Sequence, residues 1–399
     1  MIERWRSLSL GSRILVFMVL GGIAGLTLGE SAAAVQPIGD VFIRLLIMAA
    51  VPLVFFNLLA GITSLTDLRT LGRLAGKIVL YYLITTAAAL SLGLLATHAL
   101  QPGRGMRLTG EVGDRLGTAP RVLDVILDLI PENVFRAFAE GKVSQIVVFA
   151  VLLGVATVKL PSAPRERLRE AFDALAQLLR KLVDVVMWAA PLGIGALAAS
   201  TLGQYGSQIF GPLARFLAAV WGAQLVMVLV YLTLLRTLTP RKPWTFLKQT
   251  GPLWATTAAT CSSLASLAVA MDLAETRLRL PERVYAFTLP LGAQINKDGT
   301  SIMLAAVLLF TAQAAGVEFD LATQVTIVLI GLLLSEGSGG IPGGGLVIAL
   351  IFVQAFNLPP EIAAIVGGIY RLIDMGSTTI NVMGDMVGTA IVAHSEERA

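Results

Sequence analysis

The chain has 399 residues, of which 56% are hydrophobic and 14% charged, with a mean hydropathy of +0.79. Soluble domains carry about 25% charged residues, so this composition excludes an ordinary soluble domain and describes a polytopic membrane protein. The net charge of +4 comes from Lys and Arg residues scattered between apolar spans, which excludes a nucleic-acid-binding surface.

Arg4, Arg6 and Arg13 precede the first apolar run, and no convincing small-residue cleavage site follows it. The run reads as a retained helix rather than a signal peptide. Apolar runs near 12–29, 41–65, 76–99, 122–157, 167–200 and 209–237 are long enough to span a bilayer, which takes about 20 residues. The longer ones are expected to tilt, kink or extend beyond the bilayer. The segment 101–121, rich in Gly, Arg and Asp, is expected to be an exposed loop.

Basic residues cluster at Arg69/Arg73/Lys77, at Lys159/Arg165/Arg167/Arg169 and at Arg236/Arg241/Lys242/Lys248. The positive-inside rule places those turns and the N-terminus in the cytoplasm of a multi-pass protein of the cell's inner (plasma) membrane.

Beyond this point the apolar segments are short and broken by small or polar residues. One tip reads Thr256-Thr-Ala-Ala-Thr-Cys-Ser262-Ser263, another Ser335-Glu-Gly-Ser338-Gly-Gly-Ile-Pro342-Gly-Gly-Gly345. Such backbone cannot face lipid, where its N–H and C=O groups would be unsatisfied, but it can line a cavity. Two matching sets emerge: a hairpin at 244–272 before a helix broken at 296–300, and a hairpin at 321–356 before a polar helix at 361–394. Paired interruptions of this kind mark the midplane site of a transporter built from inverted repeats.

The break Asn296-Lys297-Asp298-Gly299-Thr300 puts a lysine and an aspartate inside an apolar stretch. Each central ionised group there costs at least about 2.5 kcal/mol, so the pair must face a polar cavity or find partners. In the last helix Asp374, Ser377, Thr378, Asn381 and Asp385 recur at steps of three and four, which forms one polar stripe. Carboxylates with amide and hydroxyl groups suit an ammonium group and a hard cation. His98 and His394 are the only histidines, and nucleotide-binding signatures are missing, so neither an enzyme nor an ATP-driven pump is supported.

These residues resemble the dicarboxylate/amino acid:cation symporter family, which includes archaeal aspartate transporters and mammalian glutamate and neutral amino acid transporters. The resemblance covers nearly the whole chain: Pro52-Leu-Val-Phe, Tyr81-Tyr82-Leu-Ile-Thr85-Thr86, the serine-bearing hairpin, Asn296–Thr300, the Gly-Pro-Gly tip and Asp374…Asn381…Asp385. It implies an all-α membrane fold of eight transmembrane helices and two re-entrant hairpins, assembled as a homotrimer. Residues 1–70 and 101–201 would form the scaffold (helices 1, 2, 4 and 5). Residues 71–100 (helix 3) and 202–399 would form a transport domain that moves like an elevator, gated by the second hairpin.

By the same resemblance, Asp374 holds the substrate ammonium, while Thr378 and Asn381 position the amino acid's α-groups. Thr300 lines the side-chain end, and Ser263, Ile341 and Gly345 supply hairpin contacts. Sodium is the implied coupling ion, with no covalent cofactor. One sodium site is Asp385 with backbone at Gly292, Asn296 and Asn381; a second is Tyr82, Thr85, Thr86, Asn296 and Asp298; a third uses Gln294, Ser335, Glu336 and Ser338.

The departures matter most. Acidic-substrate members carry arginine where this chain has Ser377, and without it a second substrate carboxylate lacks its bidentate partner. Small neutral amino acids are therefore favoured over acidic ones. Arg371 stands six residues before Ser377, so it points elsewhere. It is expected to pair with Asp374 or to restore at the first hairpin tip the charge that Cys261 replaces. Leu304 stands where mammalian glutamate carriers have a protonatable glutamate, so proton coupling by that route is not supported.

Lys297 replaces a methionine near the sodium sites and is expected to act as a tethered cation, with Glu336 as a partner, or as a titratable group. Counting Asp298, Asp374, Asp385 and Glu336 against Lys297 and Arg371 leaves room for about two cations, fewer than three. The expected function is cation-coupled symport of small neutral amino acids. An acidic amino acid or dicarboxylate symporter, a sodium-independent exchanger and an anion conductance stand as alternatives.

Overall fold

The computed structural model describes residues 10–64, 68–106, 130–140, 143–335, 344–367 and 369–397. Three expected site residues, Glu336, Ser338 and Ile341, lie outside these, as does most of the loop expected at 101–121. Among the described residues every regular element is helical.

The first part of the chain contains α1 (Leu10–Leu28), a 3₁₀ stretch Gly29–Val35, α2 (Gln36–Ser64) and α3 (Leu68–Leu100). Then come α4 (Val134–Glu140), α5 (Val143–Val158), α6 (Ser162–Met187) and α7 (Ala190–Tyr205). A second 3₁₀ turn, Gly206–Ile209, leads into α8 (Phe210–Leu238). The remainder is α9 (Pro243–Thr260), α10 (Ser263–Thr276), α11 (Glu282–Ile295), α12 (Asp298–Ala314), α13 (Leu321–Ser335), α14 (Gly344–Ala355), α15 (Pro360–Gly367) and α16 (Tyr370–Glu397).

Three stretches among the described residues, Ser12–Leu45, Arg73–Leu100 and Gly206–Leu238, are long and apolar enough to cross a membrane. Leu20, Ile23, Leu225 and Leu229 are exposed on them, as lipid-facing side chains are.

Several expected boundaries are corrected. The run 167–200 is two helices, α6 and α7, bent by 55°. Pro191 sits in the first turn of α7, where its ring and missing N–H cannot continue the preceding helix. The run 122–157 divides into α4 and α5, its first residues lying outside the described chain. The helix expected at 361–394 is α15 followed by a separate α16. The break expected at 296–300 is confined to Asn296 and Lys297, because Asp298, Gly299 and Thr300 already form the first turn of α12.

The helices pack as two groups. In one, α1 lies on α7, and α2 packs on α5, α6 and α7. Lipid is as apolar as leucine, so such contacts depend on close backbone approach through small residues. Gly21 and Gly25 supply it: a Cβ on either would collide with the carbonyl of Gly195 or Ala199.

The second group is built around α12, whose residues Asp298–Ala312 are all buried. It is wrapped by α3, α8, α13, α14 and α16, with α9, α10 and α11 packed on α16. Two-helix pairs thus precede an interrupted helix twice: α9–α10 before α11/α12, and α13–α14 before α15/α16.

Where the start of α3 meets the end of α16, Glu396 is clamped by Arg73 Nη2 and Lys77 Nζ, each at 2.7 Å. The Arg73 bond, then the Lys77 bond, hold the Glu396 carboxyl below the ordinary carboxylate range. A depressed folded pKa contributes stability above the unfolded value, near 4.3 for Glu, and loses it as pH falls through the lowered one. Wild type is accordingly expected to melt above Glu396→Gln at pH 7, with the gap narrowing as pH falls below the unfolded value. A gap that does not narrow on acidification would contradict this.

Candidate substrate and cation site

The break between α11 and α12 organises the site. Asn296 leaves the helix with extended backbone, and its N–H closes the last turn on the Gly292 carbonyl at 2.8 Å. A helix end leaves carbonyls without intrahelical partners and carries partial negative charge. Lys297 answers this directly. Its Nζ, buried to 1% exposure, donates to the Ala293 carbonyl at 2.8 Å and the Asn296 carbonyl at 3.3 Å. Its charge is also felt at Asp385 and Asp298. The lysine therefore caps the negative end of α11 beside two buried carboxylates.

The other side of the break is a helix N-terminus. Lys297, the N-cap of α12, offers no side-chain cap. The cap comes from another helix: Asn381 Oδ1 on α16 accepts from Gly299 N at 2.7 Å and Thr300 N at 3.3 Å. These are the donors a local Ser or Asp cap would serve. Asn381 Nδ2 donates to Thr300 Oγ1 at 3.2 Å, so the carboxamide ties α16 to α12 at three points.

Asp298, in the first turn of α12 where negative charge is favoured, is fully buried. Thr86 donates to its Oδ1 at 2.6 Å and Tyr231 to its Oδ2 at 2.5 Å. On α16, Asp385 Oδ1 accepts from Asn296 Nδ2 at 2.9 Å, and the same amide donates to the Asn381 carbonyl at 2.9 Å. Gly292 faces this cluster with no room for a side chain: a Cβ would collide with Asp385 Oδ1 and the Tyr82 hydroxyl.

Of the expected cation residues, Tyr82, Thr86, Gly292, Asn296, Asp298 and Asp385 therefore meet around one break. Thr85 is buried next to them but donates to the Tyr82 carbonyl at 3.2 Å. Gln294 is half-buried near the end of α11, and Ser335 is buried at the end of α13 with its hydroxyl on the Leu332 carbonyl at 3.5 Å. The donor set suits a hard cation. Carboxylate, amide and backbone oxygens predominate, and Asn296 Oδ1 is a buried acceptor with no hydrogen-bond partner.

The polar stripe of α16 divides. Asp374, Thr378, Asn381 and Asp385 are buried along it, while Ser377 turns to α8 and receives Gln224 Nε2 on its Oγ at 3.2 Å. Ser263 opens α10, beside its N-cap Ser262, whose Oγ accepts from Ala265 N at 3.2 Å. Gly345 lies in the first turn of α14. Arg371 reaches the α9–α10 turn instead of Ser377, its Nη2 donating to the Ala259 carbonyl at 2.8 Å.

Tyr231, Gln224 and Tyr370 were missed by sequence reasoning. The first two are polar groups inside the apolar run of α8, and that exception was itself a signal.

A model of the sodium:dicarboxylate symporter family matches residues 10–395, almost the whole chain. The chain belongs to the sodium:dicarboxylate symporter family. Among its relatives, a proton/glutamate-aspartate symporter of Bacillus subtilis is 31% identical over 392 residues, covering 96% of this chain and 94% of the relative. A C4-dicarboxylate transport protein of the same organism is 29% identical over 392 residues, covering 96% and 93%. A proton/sodium-glutamate symport protein of Bacillus caldotenax is 28% identical over 403 residues, covering 98% and 95%. This symporter-family chain is thus a membrane-embedded, multi-pass transporter and not an enzyme.

Proposed function

We propose that this family member is an elevator-type symporter of small neutral amino acids that uses Lys297 in place of one coupling sodium ion. The division of the helices into two packed groups supports a scaffold at 1–70 and 101–201 and a transport domain at 71–100 and 202–399. In this reading the protein is a homotrimer with eight spans and two re-entrant hairpins, α9–α10 and α13–α14. It sits in the plasma membrane with a cytoplasmic N-terminus.

The observation that carries the substrate assignment is the Ser377–Gln224 hydrogen bond at 3.2 Å. A second substrate carboxylate needs a bidentate guanidinium to offset its burial. Ser377 and Gln224 are neutral, and the guanidinium of Arg371 is directed to Ala259. Asp374 holds the substrate ammonium, while Thr300, Thr378 and Asn381 frame the rest, with Ser263, Gly345 and Ile341 contributing from the hairpins.

The cation assignment rests on Lys297. In transporters of broken helices, half-helix C-terminal carbonyls coordinate the coupling ion, and here the lysine ammonium donates to such carbonyls. Around the break two carboxylates face one ammonium, which leaves a single negative charge for a mobile cation. Asp385, Asn296 and backbone at Gly292 and Asn381 would hold sodium, with Tyr82, Thr85, Thr86 and Asp298 beside it. Gln294, Ser335, Glu336 and Ser338 would form a further site beneath the second hairpin.

A second reading, symport of acidic amino acids or C4-dicarboxylates, is favoured by what the relatives are named for. Ligand-induced thermal stabilisation of the purified protein separates the two. L-Serine, L-alanine and L-threonine are expected to bind at least about tenfold more tightly than L-aspartate or malate, the effect of losing one charged hydrogen bond. The reverse ranking would overturn the neutral reading. Uptake into vesicles above the external concentration under a sodium gradient separates symport from exchange and from passive conductance.

A further inference from the structure

We propose that Tyr370 sets the size and polarity limit for the substrate side chain. The inference rests on Asp374, Thr300 and Gly345 bounding the substrate chamber, as proposed above.

Tyr370 is the first residue of α16 and is buried. Its phenol tip lies where α12, α14 and α16 meet. A Cβ on Gly345 of α14 would stand 2.7 Å from the Tyr370 oxygen, 3.1 Å from Met303 Cε and 3.3 Å from Thr300 Cγ2 of α12. The hydroxyl also engages the Asp374 side chain and the Leu346 backbone. Glycine at 345 is therefore a packing requirement, since any side chain there would press on the phenol.

A rigid aromatic ring in this position removes volume that a long substrate side chain would need. In this proposal the space left beside Thr300 admits a methyl or hydroxymethyl group. With its proton directed to Asp374, the phenol oxygen can still accept a hydrogen bond, so it can recognise a substrate hydroxyl while presenting no charge to a carboxylate. Ser377 and Tyr370 then act together: the serine supplies no cation for an acidic side chain, and the tyrosine closes the space to a large neutral one.

The test is a binding series on the purified full-length protein, run on wild type and on Tyr370→Phe, Tyr370→Leu and Tyr370→Ala. Ligands are L-alanine, L-serine, L-threonine, L-methionine, L-glutamine, L-aspartate and L-glutamate. Removing the ring in Tyr370→Ala is expected to raise methionine and glutamine affinity relative to alanine by about tenfold or more, the scale of one or two buried methylenes. Tyr370→Leu, which keeps an apolar core residue, is expected to show part of that widening. Tyr370→Phe keeps the size limit and lowers serine relative to alanine by about fivefold, the worth of one neutral hydrogen bond.

Unchanged ratios in Tyr370→Leu and Tyr370→Ala would overturn the size limit, and an unchanged serine-to-alanine ratio in Tyr370→Phe would overturn the polar role. Wild type separates this result from the substrate reading. If wild type prefers aspartate, the neutral assignment falls, while a glutamate-to-aspartate ratio that rises in Tyr370→Ala still upholds Tyr370 as the limit.

Discussion

Lys297→Met is expected to lose most substrate binding in sodium-free buffer and to regain it when sodium is added. The ammonium of Lys297 donates to the carbonyls of Ala293 and Asn296 and is buried to 1% exposure. Its removal leaves those carbonyls without a donor and leaves Asp298 and Asp385 without the nearby positive charge. Each buried acceptor left without its donor costs about 1–3 kcal/mol, which is about 5- to 150-fold in an equilibrium constant. A sodium ion entering between the same oxygens can recover that loss, because a hard cation seeks the ligands the ammonium has left. Lys297→Arg is expected to fail at both sodium concentrations: a planar fork does not fit a site shaped for a compact ammonium. Equal sodium-free binding in wild type and Lys297→Met would remove the basis for the tethered-cation role.

The second large effect concerns Asn381. Asn381→Ala is expected to destabilise the protein by about 2–4 kcal/mol, since buried donors left unsatisfied cost about 1–3 kcal/mol each. The donors are Gly299 N and Thr300 N, which among the described residues are capped by the Asn381 oxygen. Asn381→Asp keeps the acceptor and is expected to retain most of the stability at high sodium. Its added charge near Asp298 and Asp385 should steepen the sodium dependence. Thermal unfolding of the two variants, with and without sodium, checks both statements. Equal stability of Asn381→Ala and wild type would show that the cap is dispensable.

The broken helix and the polar stripe of α16 were legible in the sequence because both violate the apolar pattern around them. Lys297 was legible as an anomaly, but its contacts with backbone were not. The expected counterpart, Glu336, lies outside the described residues, and the ammonium donates to the backbone of its own preceding helix. Backbone acceptors carry no sequence signature, so no reading of residue types could have found this.

Asn381 was recognised as a site residue, but its capping of a helix 81–82 positions away depends on tertiary packing. The same holds for Tyr231 on Asp298 and Gln224 on Ser377, separated by 67 and 153 positions. The kink between α6 and α7 was hidden because hydropathy runs on through it, although Pro191 marks the place. Boundaries set by bends and the partners of long-range hydrogen bonds are where the sequence was silent.

The most direct test of the central claim is the sodium dependence of L-serine affinity in wild type and Lys297→Met. The slope of log affinity against log sodium concentration counts the ions taken up with the substrate. A tethered ammonium in place of one sodium predicts that the slope rises by about one in Lys297→Met, the linkage expected for one additional bound ion. An identical slope in the two proteins would show that Lys297 does not stand in for a sodium ion.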